Sequence, residues 1–360
     1  MAPSHQSPLN SSSEFMLDLS GFALDDASFA SVLASVPINQ LKSLNLSANP
    51  ELTALPDDIT FSALESLNLD KCIGCNNAMI ARITTRCRGL NTLNIGSCGI
   101  SKLPSNIGDY LNILELFNIC NNKLTQLPKS MTNLKHLVGL NLSRNRLGDS
   151  AMDSLRILLS TSKLERLYLA NNCVGASGTK ILADGLFGSS ALGLLVLTGN
   201  TCIGDDGAVS ILATIANSSN KIILHTLHLD ACNISDQVAR TLAAAIRGNF
   251  TLRTLNLGCN RLGNDAVVAL SRALEDQRGS SGVTSLDLSD NRLQADSAVA
   301  IAAAVLHNNA LLWLSLAGND SLVSTTRAAS ALADGITRNE VEPPPRAAVA
   351  LQMTVGTAGT

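Results

Sequence analysis

The chain has 360 residues, 46% of them apolar but only 3% aromatic, and a formal net charge of −3. That slight acidity argues against a nucleic-acid footprint, which needs a basic stripe, and no apolar run is long enough to span a bilayer. The length alone would suggest two domains, but no linker interrupts the pattern described next, so one elongated domain is expected.

Residues 1–13 are rich in Ser, Pro and Asn and read as a disordered tail. They lack the basic start and apolar core of a secretion signal. From residue 14 onward one unit recurs, Leu-x-x-Leu-x-Leu-x-x-Asn/Cys, clearest as Leu252-Arg-Thr-Leu255-Asn-Leu257-Gly-Cys-Asn260. Copies begin at residues 14, 41, 64, 90, 114, 137, 164, 192, 224, 252, 283 and 311, which makes twelve repeats. The first is degenerate, with Glu14 leading and Phe22 closing, and the fifth carries Phe117 in place of a Leu. Apolar residues at the fourth and sixth positions alternate as in a half-buried strand. A strand this short cannot bury its face alone, so the copies must stack side by side. An Asn amide at the ninth position both donates and accepts, and predicts a ladder of bonds to its own turn and the next.

The spacing between copies is 23–27 residues up to residue 137 and 27–32 beyond it. Among the short units, Leu55-Pro56, Leu103-Pro104 and Leu127-Pro128 predict extended or single-turn returns, because Pro limits a helix. The long units carry amphipathic helical stretches such as Asp265–Leu274 and Ser297–Leu306. Asp149, Asp206, Ser235, Asp265 and Asp296 precede or open these stretches and suit N-caps, and Gly248 and Gly279 fall where helices should stop. Helices pack about 8–10 Å apart and strands about 4.8 Å apart, so a stack with strands inside and helices outside must curve, leaving the strands on a concave face. Glu342-Pro-Pro-Pro-Arg346 ends the last helix, and Val349-Ala-Leu351 faintly repeats the strand pattern. The segment 341–360 is thus either a thirteenth strand covering the open edge or an unstructured tail.

This skeleton resembles the leucine-rich repeat family over roughly residues 14–340. The helical units resemble its ribonuclease-inhibitor-like subclass, from which the Leu-Pro units depart. The resemblance implies an α/β solenoid, a horseshoe with a parallel β-sheet on the concave face and helices and extended turns on the convex face. It divides 14–340 into mixed short repeats (14–136) and longer helical ones (137–340). Extracellular members usually carry disulfide-rich caps, and neither residues 1–40 nor residues 260–360 hold any of the nine cysteines. A cytoplasmic or nuclear compartment is therefore expected, as is a monomer.

Cys72-x-x-Cys75 with Cys87 and Cys98 invites a zinc reading. Cys72, Cys98 and Cys232 occupy the ladder position, however, so buried structural thiols are expected and no metal. There is no Walker loop, no His-Glu-x-x-His and no Gly-x-Ser-x-Gly, so neither enzymatic activity nor a cofactor is expected. His228 and Asp230 alternate onto one face without a third partner, which fits a solvated pair better than a catalytic one.

The best binding candidates lie on the concave face. Its fifth positions carry five consecutive Asn, from Asn45 to Asn141, and then change character. Arg144, Arg166, Tyr168 and Asn171 are expected on adjacent strands, and Arg and Tyr often carry interface energy. His228, Asp230, Asp287 and Asp290 follow, and then Trp313, which either faces the concave surface or is covered by the tail. These residues point to a protein-binding scaffold that contacts neither nucleic acid nor membrane. The helical units also resemble Ran GTPase-activating proteins, which would make the chain a small-GTPase regulator, although the acidic run typical of that family is missing. A third reading is the recognition subunit of an immune or ubiquitin-ligase assembly.

Overall fold

The computed structural model describes residues 15–216, 222–276, 282–341 and 350–352. Thirteen strands form one sheet in strict sequence order. They are β1 (Phe15–Asp18), β2 (Leu41–Asn45), β3 (Ser66–Asn68), β4 (Thr92–Asn94), β5 (Leu116–Asn118), β6 (Gly139–Asn141) and β7 (Arg166–Tyr168). Then follow β8 (Leu194–Val196), β9 (Thr226–His228), β10 (Thr254–Asn256), β11 (Ser285–Asp287), β12 (Trp313–Ser315) and β13 (Ala350–Gln352). Every pair is parallel, and the fourth positions align, as Leu93, Phe117, Leu140 and Leu167 do. β13 pairs with β12, Leu351 opposite Leu314.

The repeat explains this order. Fourth- and sixth-position side chains such as Leu140 and Leu142 are fully buried and stack on their counterparts in one continuous core. The chain then climbs to the next unit on two backbone rungs. Leu142 N–H donates to Tyr168 O at 2.9 Å and Arg144 N–H to Ala170 O at 2.7 Å, and the same pair recurs along the array. The second rung requires a left-handed residue at position eight. Gly21, Ala48, Lys71, Ser97, Asn121, Arg144, Asn171, Gly199, Ala231, Cys259, Asp290 and Gly318 all have positive φ there. Only three are glycine, so most repeats carry a cost of about 1–2 kcal/mol at this turn that the ladder offsets.

The ninth-position ladder is present. Asn145 Nδ2 donates to Ile119 O of the preceding repeat and to its own Leu142 O, both at 3.0 Å, while its Oδ1 accepts from Leu124 N–H at 2.9 Å. Where Cys replaces Asn the donor half survives. Cys72, Cys98 and Cys232 Sγ lie 3.0, 3.1 and 3.3 Å from the carbonyls of Leu46, Leu69 and Leu197. Burial pushes the thiol of Cys72 up to about 11 and that of Cys232 to about 12. The thiol of Cys98 is also held above its usual range, first by its bond with Cys75 and then by burial.

Before residue 137 the return segments are mixed, and the first and third repeats carry α1 (Asp26–Leu33) and α2 (Asn77–Arg86). These are the longer early units. The shorter ones, which hold Pro56, Pro104 and Pro128, have room only for α3 (Ile107–Tyr110) and a 3-10 turn at Lys129–Asn133. Beyond them run α4 (Met152–Thr161), α5 (Ala176–Gly188), α6 (Gly204–Ala216), α7 (Ala239–Gly248), α8 (Asn264–Asp276), α9 (Ala295–His307) and α10 (Thr326–Val341), each packed on its sequence neighbours.

The expected caps are placed differently in the structure. Ser235 caps a 3-10 turn leading into α7, but Asp149 opens such a turn, and Asp206, Asp265 and Asp296 sit inside the first turns of α6, α8 and α9. Acidic groups there meet the positive end of the helix. A related set of carboxylates caps the neighbouring unit instead of its own. Asp149, Asp205 and Asp236 each accept from a backbone N–H of the next repeat, Gly175, Ser235 and Gly263 respectively, at 2.6 Å. Gly248 is the last residue of α7, and Gly279 lies outside the described residues.

Candidate functional site

Third- and fifth-position side chains leave the core and face the concave surface. The Asn stripe has a structural duty there. Asn45, Asn68, Asn94, Asn118 and Asn141 each accept, through Oδ1, the N–H two residues on at 3.0–3.1 Å, closing an Asx turn after each strand. Asp287 does the same for Ser289 N–H at 2.9 Å. Asp287, a candidate for partner contact from the sequence, thus also takes part in the construction of the repeat.

The series breaks at β7. Tyr168 follows Asn141 in register, and Val196 follows Tyr168. Tyr168 is half-buried and Arg166 exposed. Arg166 leans toward β6, where its Nε and Nη2 lie 3.7 Å from the place a Cβ would take on Gly139. Leu116 Cδ2 flanks the same place from the other side at 3.0 Å. The result is a concavity of about 450 Å³ whose lining includes Asn94, Leu116, Asn118, Gly139, Arg166 and Tyr168. Among the described residues, neither the Arg166 guanidinium nor the Tyr168 hydroxyl has a hydrogen-bond or ion-pair partner.

Arg144 and Asn171 are not on the strands. Both occupy left-handed turns just past the C-terminal ends of β6 and β7, outside the lining of the concavity. The Arg144 guanidinium is unpaired among the described residues. Asn171 Oδ1 rests against Gly199, only 2.3 Å from where a Cβ would stand there.

The remaining candidates form separate groups. His228 Nδ1 lies 3.9 Å from Asp230 Oδ1, which also accepts from the Thr198 hydroxyl at 2.8 Å, so Asp230 is tied to β8's turn. Asp290 sits in a left-handed turn, with Cys259 Sγ 3.8 Å from its Oδ2. Nearby acidic groups, after burial, raise the Cys259 thiol. Trp313 is half-buried on β12 between Ser285 and Ala350. It stands five strands, about 24 Å, from Arg166. The structure therefore brings together Arg166 and Tyr168, sets Arg144 and Asn171 in the turns that follow β6 and β7, and leaves His228/Asp230, Asp287/Asp290 and Trp313 further along. Sequence reasoning missed Leu116 and Gly139. Their signal was in the third-position column, where small hydroxyl residues such as Ser43, Ser66, Thr92, Thr226 and Thr254 give way to an apolar residue and then to none.

Among the described residues no helix is long and apolar enough to cross a membrane. Family models described as leucine rich repeat match residues 88–147, and residues 194–212, 248–271 and 281–302. The chain is similar to ribonuclease inhibitor of Sus scrofa, 28% identical over 192 residues, covering 51% of this chain and 41% of that protein. It is also similar to NACHT, LRR and PYD domains-containing protein 5 of Mus musculus, 29% identical over 66% of this chain and 17% of that one. The chain thus spans less than half the length of either relative. Among solved structures, a leucine-rich repeat protein of Leptospira interrogans superposes with a TM-score of 0.53 at 20% identity, covering 84% of this chain and 78% of that one. An internalin from Listeria monocytogenes gives 0.53 at 17% identity over 88% and 84%. These matches and the unbroken register of strands and ladder residues make the chain a leucine-rich repeat protein of ribonuclease-inhibitor-like type, folded as an α/β horseshoe solenoid.

Proposed function

We propose that the protein is a non-enzymatic scaffold that holds a protein partner on its concave face, centred on Arg166 and Tyr168. The observation that carries this reading is the concavity over β5–β7, where a cation and a phenol without partners flank exposed apolar surface. Arg and Tyr in such a setting are the residues that most often dominate binding energy. Arg144 and Asn171 extend the surface in the turns that follow β6 and β7, and His228, Asp230, Asp287, Asp290 and Trp313 extend it toward the C-terminal end. Leucine-rich repeat proteins generally mediate protein–protein contacts, which supports the same assignment. Arg166→Ala and Tyr168→Ala should each abolish capture of the partner while leaving the far-ultraviolet dichroism unchanged. Undiminished capture by the double variant would remove these residues from the site.

A second reading is favoured by the relatives whose names contain a NACHT domain as well as the repeats. In it, the array is the recognition part of a larger assembly, and the same concave surface does the recognising.

A further inference from the structure

Resting on the concave-face assignment and narrowing it, we propose that the groove over β5–β7 takes an extended protein segment in which an acidic side chain neighbours an aliphatic one. Three consecutive third positions, Leu116, Gly139 and Arg166, are in register across the groove and offer an apolar wall, a bare floor and a cation. Leu116, between Thr92 and Gly139 in the column, is 41% exposed, so it presents apolar surface to whatever fills the groove.

Gly139 is not demanded by the backbone. Its φ is not in the left-handed region, and a Cβ there would meet only the ends of two flexible side chains. The missing side chain therefore keeps space open and serves no turn. That space, between Leu116 and Arg166, suits one aliphatic side chain.

The charge pattern selects the neighbouring group. Arg166 and Arg144 are both unpaired among the described residues, and a guanidinium fork matches a carboxylate in two parallel bonds. The exposed carboxylates of Glu115 and Glu165 directly precede Leu116 and Arg166 at the N-terminal ends of β5 and β7, whereas Arg144 lies past the C-terminal end of β6. A polyanion running the length of the strands would meet both carboxylates, and a single carboxylate seated on Arg166 from the groove side is repelled less. A peptide acid is therefore favoured over a nucleic-acid backbone.

The test pans a displayed library of random short peptides on the full chain and measures binding of the enriched sequences, made synthetically, to Arg166→Gln and Gly139→Leu. Enriched sequences should place Asp or Glu within a residue or two of Leu, Ile, Val or Met. Affinity should fall about tenfold or more with either substitution, as expected for loss of about 1.4 kcal/mol or more. Arg166→Gln alters only an exposed side chain, so it reports even if Gly139→Leu disturbs the fold. Three results overturn the proposal: no enrichment over the doubly substituted chain, enriched peptides indifferent to both substitutions, or a single-stranded DNA oligonucleotide that competes with them and shows the same dependence on Arg166. If peptides indifferent to Arg166 are lost on Trp313→Ala or Asp230→Lys, the concave scaffold stands and only this groove fails. If they respond instead to Lys180→Glu on α5, the concave assignment fails as well.

Discussion

The side-chain amide of Asn200 reaches back one repeat to the carbonyl of Leu169, 3.0 Å away. It also donates to Leu197 O at 2.7 Å, and its Oδ1 accepts from the N–H groups of Asn172 and Val174 at 3.2 Å each. One fully buried amide thus satisfies backbone groups of two successive units, which the apolar core cannot do.

Asn200→Leu keeps the volume and removes every one of those bonds. Unfolding free energy, from urea denaturation, should fall by about 2–4 kcal/mol, because buried N–H and C=O groups are left without partners. Asn112→Leu, at an exposed position, is the control. Equal losses at the two sites would deny the ladder its structural role.

On the convex side, Asp236 Oδ1 accepts from Gly263 N–H at 2.6 Å and Ala266 N–H at 3.1 Å. Asp236→Ala should cost about 1–2 kcal/mol, the usual value of a helix cap, whereas Asp236→Asn keeps an acceptor and should cost little. Amide exchange at Gly263 should speed up in the alanine variant alone. Unaltered exchange there would show that the bond contributes nothing.

Alkaline pH should weaken the fold. Burial raises the thiol of Cys72 from 9.0 to about 11 and the thiols of Cys87 and Cys232 to about 12. Below pH 9 these thiols are neutral in both folded and unfolded chains, and their contribution is fully present. As pH rises from 9 toward 12 the unfolded chain ionises first, and stability is lost at up to about 1.4 kcal/mol per pH unit for each thiol. The Cys87→Ala/Cys232→Ala variant should show a shallower decline between pH 9 and 11. An identical slope would contradict the assignment.

Glycines 108 and 139 should respond oppositely to the same change. A Cβ on Gly108 would stand 1.9 Å from the backbone oxygen of Ser130, which cannot move aside, whereas one on Gly139 meets only the flexible ends of Leu116 at 3.0 Å and Arg166 at 3.7 Å. Gly108→Ala should therefore lower stability by about 3 kcal/mol, and Gly139→Ala should be nearly neutral. Thermal unfolding compares them directly, and similar losses would mean that the space at Gly139 is needed by the fold.

Most of the architecture was legible because the repeat is periodic. The period placed Leu140 and Leu142 in the core and put Asn145 and Cys232 in the ladder. The positive φ of Arg144, Asn171 and Asp290 was not legible, because nine of the twelve repeats hold that turn without the glycine that would mark it. The groove was half legible. Arg166 and Tyr168 stood out as departures from the Asn and Ser columns, but a bare Gly139 and an exposed Leu116 acquire meaning only when β5, β6 and β7 lie side by side. The cap at Asp149 was assigned to its own helix and those at Asp205 and Asp236 were not anticipated, since local spacing suggests a cap on the residue's own helix and only the stacking reveals the neighbour.

The central claim is that the concave face over β5–β7 is where a protein partner sits. Site-specific photo-crosslinking in a cell extract addresses it most directly, with the photoreactive residue placed at Asn118 or Thr92 on the concave face and at Arg156 or Lys180 on helices α4 and α5. One discrete protein adduct is expected from the two concave positions, suppressed by Arg166→Gln, and none from the helical positions. Adducts formed from Arg156 or Lys180 and absent at Asn118 and Thr92 would contradict it.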